Sequence, residues 1–265
     1  MGILDFFGSK SGGKTALRKQ TQKITVKYGP PENRQKVIQQ LADMGTPEAL
    51  SVLCLRFTIH AEPGITDDEE KETVRQILVE AGEKAVGPVK EFLESHESGV
   101  SWGLRVLALL RPPEDVIGTV LLLLYRLGRE YTRDPEKKLV LLSWLAEHHG
   151  DLSSATGPEG DKAENTQKAP SLDVEGAVLP LLEDFSDDVR IAATRLLARQ
   201  PLSERTRVAL IELLMRDKDN LRVRGEVLKA LAEMGADVKG YRPSVEALLV
   251  EAYFLDKEGR VKRRG

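Results

Sequence analysis

Apolar positions recur along this chain at helical intervals, and the pattern itself repeats. A mostly basic residue is followed by apolar residues three and seven positions later and by a helix stop at eleven. Arg34, Val37, Leu41 and Gly45 fit it, as do Lys71, Val74, Leu78 and Gly82. Ser101, Leu104, Ala108 and Pro112 follow, then Lys138, Leu141, Leu145 and His149 with Gly150 beyond. The clearest copies are Arg190, Ala193, Leu197, Pro201 and Arg224, Val227, Leu231, Gly235, and a truncated one begins at Lys262. The first three positions share one helical face, so each copy predicts an amphipathic helix. Glycine ends such a helix through a left-handed cap, and proline ends it because it cannot continue one.

A second helical pattern lies between anchors: Pro47 to Ile59, Ala85 to Glu94, Glu114 to Tyr131, Val174 to Asp184, Glu204 to Arg216 and Pro243 to Leu255. Thr46 before Pro47 and Ser203 before Glu204 are N-cap signals. Anchors lie 30–38 residues apart, except for 52 residues between Lys138 and Arg190. That long interval holds residues 151–172, which have almost no large apolar side chain and are expected to form a disordered insertion. Helix, turn, helix at this period is an α-solenoid, in which each pair buries its apolar face against its neighbours.

Leu179 to Asp184, followed by Asp187, Asp188, Val189, Arg190, Ala193 and Leu197, resembles a HEAT repeat. Leu213, Leu214, Asp217, Asp219, Val223, Arg224, Leu228 and Leu231 resemble the next. The resemblance is specific over residues 174–235, and only the skeleton persists over 30–150. It implies an all-α, right-handed superhelix of about six helical hairpins, whose second helices line a concave groove. In this family that groove binds proteins or, less often, nucleic acids; a few HEAT-like proteins are lyases or DNA glycosylases. The expected organisation is a flexible basic leader (1–29), N-terminal repeats (30–150), the insertion (151–172), C-terminal repeats (173–256) and a basic tail (257–265).

Composition agrees: aromatics are 5% and charged residues 31% of the chain. The net charge of −3 argues against a nucleic-acid-binding polycation. Charge is polarised, with +6 over residues 1–36 and −7 over 62–97, an electrostatic handle for orienting a partner. One cysteine excludes an internal disulfide or a Cys-based zinc site, and no apolar run is long enough to cross a bilayer. With no signal-peptide pattern, the expectation is a cytoplasmic protein.

Candidate chemistry is sparse. Gly8 to Thr15 fits the phosphate-loop expression, but no parallel sheet is predictable around it, so a Gly/Ser/Lys linker is the reading. Ile3, Leu4, Phe6 and Phe7 form an apolar tip that either docks on a partner or membrane surface or caps the first repeat. His148 and His149 beside Glu147 and Asp151 point about 100° apart if helical, so a shared metal ion is not expected. Cys54 lies among apolar neighbours and reads as core. The basic anchors Arg190 and Arg224 are expected to pair with acids such as Asp188 and Asp219 in a ladder between repeats. No catalytic constellation, cofactor or small-molecule substrate is indicated.

The expected function is therefore a non-catalytic scaffold or adaptor that binds another protein; a nucleic-acid-binding HEAT-like protein or a HEAT-like enzyme is the alternative. Positions two, five and nine after each anchor face away from the apolar stripe and, if the resemblance holds, border the groove. They are apolar only in the Ser101 copy and cationic in the Arg190 copy. An apolar centre flanked by charge fits a protein-binding hot spot, which selects Trp102, Val106, Leu110, Arg195 and Arg199. Burial of Val106 and Leu110 against a neighbouring repeat is the competing expectation.

Overall fold

A computed structural model describes residues 11–128, 130, 132, 134–148 and 173–264. The chain divides within one helix into two compact units, Met1–Val116 and Ile117–Gly265. The apolar tip at residues 1–7, the insertion at 151–172, and His149 and Asp151 lie outside the described residues.

In the first unit six helices form three hairpins: α1 (Ser11–Ile24) with α2 (Pro31–Met44), α3 (Pro47–Cys54) with α4 (Gly64–Glu80), and α5 (Glu83–Ser95) with α6 (Val100–Leu110). A 3₁₀ turn over Leu55–Thr58 extends α3. First helices pack on first helices and second on second, giving the two layers of a helical repeat. The predicted stops hold: Gly45, Gly82 and Gly235 all take positive φ. Thr46 caps α3 by accepting from the Ala49 amide at 3.3 Å. The leader is not uniformly loose. Residues 11–24 are the first helix of the first hairpin, with Leu17 and Ile24 buried. Two buried positions a double turn apart are too short a stripe to stand out in sequence.

Helix α7 (Pro113–Leu127) carries the boundary between units, and α8 (Glu136–Glu147) follows it. In the second unit α9 (Val174–Val178) runs into a 3₁₀ turn (Leu179–Glu183), then come α10 (Asp187–Leu197), α11 (Glu204–Arg216) and α12 (Leu221–Glu233). Helices α8, α10 and α12 form the second-helix layer, and the 3₁₀ turn and α11 form the first. Ser203 and Asn220 cap α11 and α12 through the amides of Thr206 and Val223.

The last repeat departs from expectation. The stretch from Pro243 to Leu255 forms only one helical turn, α13 (Arg242–Glu246). Residues expected as the end of that helix form β1 (Tyr253–Leu255), and the expected basic tail folds back on it as β2 (Val261–Arg263). Gly259 with φ +77 makes its turn, and Val261 is fully buried. Helix α13 packs beside α11 and β2 beside α12, so a ribbon stands where a second helix was expected. Tyr253, Phe254, Leu255 and Val261 favour strand, which the count of basic residues in the tail concealed.

Cys54 is fully buried, and burial pushes its thiol pKa upward, with a backbone hydrogen bond opposing. A thiol reagent should label native Cys54 only as fast as the first unit opens. Labelling within the mixing time under native conditions would place it at the surface.

Candidate interaction surface

The anchors do not form a cationic stripe. Arg34 Nε lies 2.8 Å from Glu70, which also accepts from Arg56 Nε at 2.9 Å. Asp67 accepts from Arg56, from Lys71 at 2.6 Å and from the Ala61 amide at 2.9 Å. Three cations and two carboxylates are thus enclosed between α2, the 3₁₀ turn and α4, each with a side chain no more than 5% exposed. His60 stands outside, exposed, 3.8 Å from Asp67.

The second unit has the expected ladder with different rungs. Lys138 bonds Asp184 at 2.6 Å. Arg190 bonds Asp187 of its own repeat and lies 2.8 Å from Asp217 of the next, out of hydrogen-bond alignment, so that second contact is Coulombic. Asp187 also accepts from Asn220 at 2.6 Å, and Asp188 from Arg222 at 2.6 Å. Arg224 bonds the Lys218 carbonyl rather than Asp219. The anchors are thus committed to partners within the array, and the sequence-selected positions lie on the opposite face of the second helices.

On that face the periodic reading holds for α2 and α4: Lys36, Gln39, Asp43, Thr73, Gln76 and Glu80 are all exposed. It fails on α6. Val106 is 0% exposed and belongs to the core, Leu110 is half-buried, and Ala108 is exposed where the stripe was expected. The true anchor is Val100, one residue earlier, with Gly103 and Leu107 in the stripe. A Cβ on Gly103 would come 2.8 Å from Leu93 Cδ2, so this glycine lets α5 approach α6. The outward residues are Trp102, Arg105 and Leu109. The signal was present: the Ser101 frame put Arg105 on the apolar side, where a guanidinium without a partner is costly.

Trp102 is half-buried and stacks on Phe57, with centroids 5.8 Å apart and planes 7° apart. The Arg105 guanidinium carbon lies 5.0 Å from the Trp102 ring centroid. One turn on, Leu109 is 59% exposed. A fixed aromatic, a cation and an unburied leucine therefore share one face.

In the second unit Arg195 on α10 and Arg199 in the turn that follows it are both exposed. Neither is an isolated cation. Arg195 bonds Glu226 of α12 at 2.8 Å, and Arg199 donates to the Ala146 carbonyl of α8 at 2.7 Å. The bond to Arg195 lowers the Glu226 carboxyl below the usual range against some burial, and Lys229 assists. Lys229 lies 4.0 Å from Glu233, so charge alternates across this surface.

Among the described residues no group of His, Cys, Asp and Glu could hold a metal ion. His148 stacks on Trp144 at 3.9 Å and its Nδ1 lies 2.8 Å from the Trp144 carbonyl. Gly12 to Thr15 lie in the first turns of α1, and the two-stranded antiparallel hairpin is the one sheet among the described residues. No described helix is long and apolar enough to cross a membrane.

No curated protein and no solved structure matches the chain. The family model of HEAT repeats matches residues 176–264, which span the 3₁₀ turn, α10 to α13 and the ribbon. Those elements pair in two layers and carry the inter-repeat Asp, Asn and Arg bonds; residues 176–264 belong to the HEAT-repeat family.

Proposed function

We propose that this chain is a cytoplasmic, non-catalytic adaptor that holds another protein on the outward face of its second helices. The observation that carries this reading is the α6 face. Leu109 is 59% exposed two turns along the same face from Trp102, which stacks on Phe57 and lies against Arg105. An aromatic held rigid before binding loses little entropy on docking, and a neighbouring aliphatic adds apolar area. Alternating charge around Arg195 and Lys229 supports a protein partner over a nucleic-acid backbone, which favours a continuous basic track.

Affinity capture with mass spectrometry supplies the partner, and titration with purified partner tests the face. Leu109→Asp should weaken binding more than about tenfold while leaving the melting temperature unchanged, because the side chain makes little of the core. Arg195→Glu with Arg199→Glu should weaken it by a smaller factor, since Arg195 must leave Glu226 to bind. Unchanged affinity in both variants would overturn the reading.

A further inference from the structure

Antiparallel strands alternate between residue pairs that exchange hydrogen bonds and pairs that point them away. In the ribbon Asp256 donates to the Arg260 carbonyl at 3.0 Å, and Arg264 donates to the Ala252 carbonyl at 2.8 Å. Phe254 opposite Lys262 is the bonded pair between them, so Tyr253 and Leu255 turn their peptide groups outward. The opposite edge follows the same phase: Val261 donates to the Ala236 carbonyl at 3.3 Å, and Val238 to the Gly259 carbonyl at 2.9 Å. That edge is filled. On β1 the Tyr253 amide is used by the Val250 carbonyl at 2.9 Å. The Leu255 amide, the Leu255 carbonyl and the Tyr253 carbonyl have no backbone partner among the described residues.

We propose that this open edge of β1 takes an extended, acidic segment of a partner protein as a third strand. Unpaired strand edges are the sites at which chains add strands, with main-chain bonds supplying affinity. Packing of β2 on α12 holds the platform in place, and Phe254, 38% exposed, offers one side-chain contact on it. Charge selects the acidic sequence. Lys257, Lys262, Arg263 and Arg264 are in no ion pair among the described residues, whereas Arg260 is held by Asp256 and Glu258. Lys257 lies two residues beyond β1, Lys262 and Arg263 are in β2, and Arg264 follows it.

The test uses the full ¹⁵N-labelled chain and two capped probe peptides, acetyl-EVTVE-amide and acetyl-KVTVK-amide. The acidic peptide should shift the amides of Tyr253 to Lys257 saturably, slow exchange of the Leu255 amide, and bind about fivefold more tightly than the basic one. Leu255→Pro removes the outward donor without touching a ladder bond, so it should abolish binding. Should Val261 amide exchange show that this variant disturbs the hairpin, N-methylation of the peptide's central amides tests the same bonds from the ligand side. Leu109→Asp should leave peptide binding intact, so this proposal and the adaptor reading fail separately. Equal binding of both peptides, shifts confined to helices, or concentration-dependent pairing of two copies through β1 would each overturn it.

Discussion

Glu70→Ala is expected to destabilise the first unit by roughly 3–5 kcal/mol, the usual cost of removing one partner from a buried ion group. Glu70 accepts from both Arg34 and Arg56, and its loss leaves three cations around Asp67 alone. In a Trp144→Phe background, Trp102 fluorescence reports this unit. Glu72→Ala, which removes a half-exposed pair with Arg75, should move the same transition far less. Equal effects from the two substitutions would mean that the enclosed group contributes no more than a surface pair. Acid should act on the same group. Burial alone would raise the Asp67 carboxyl, but bonds from Lys71, the Ala61 amide and Arg56 hold it below the usual carboxylate range. The folded-state value is the lower one, so the unfolded chain takes up this proton first as pH falls. Asp67 thus contributes fully above about pH 4 and loses its contribution as pH drops through the folded-state value. Melting of Asp67→Asn should be flatter over that acid range than melting of the native chain.

Gly99→Ala is the second large effect. This residue precedes α6 with φ +76, where any Cβ is strained by about 1–2 kcal/mol. A methyl there would also sit 2.5 Å from the Phe57 carbonyl oxygen and 2.7 Å from its carbon, backbone atoms that cannot rotate aside. Overpacking adds about 1–3 kcal/mol. Gly45→Ala is the matched control: φ is +54 in the same left-handed region, and the nearest atom to its Cβ, the Ala42 carbonyl oxygen, lies at an ordinary 3.7 Å, so only the conformational part applies. Gly99→Ala should lower the melting temperature well beyond Gly45→Ala and shift Trp102 emission as Phe57 is displaced. Similar costs for both would show that close approach to Phe57 does not matter.

The repeat was legible because its signals are local. Thr46 and Ser203 are caps that act within three residues, and Gly45, Gly82 and Gly235 stop their helices within one turn. The outward positions of α2 and α4 followed from helical spacing alone. What escaped depended on distant partners. The α6 frame is set by Gly103 fitting against Leu93, ten residues back, so a one-residue slip moved the candidate face from Trp102, Arg105 and Leu109 to Trp102, Val106 and Leu110. Pairing of Arg190 with Asp217, rather than Asp188, is likewise fixed by how two repeats stack. The ribbon was missed because Tyr253 to Leu255 and Val261 to Arg263 are each three residues long, too short for alternation to register.

That ribbon bears on which surfaces of the second unit can stack. Helical repeats stack because ridges of one helix fit grooves of the next, and the fit is the same at every step. A bare second helix on the flank of α12 would offer that fit to any other copy, and head-to-tail contacts of that kind build open filaments wherever their rotation does not close a ring. Strand β2 occupies the flank instead, with its own Val261 fully buried. A twisted two-stranded surface has no helical ridges to interlock, so the ridge-into-groove stacking of the second unit does not extend onto the flank that β2 covers.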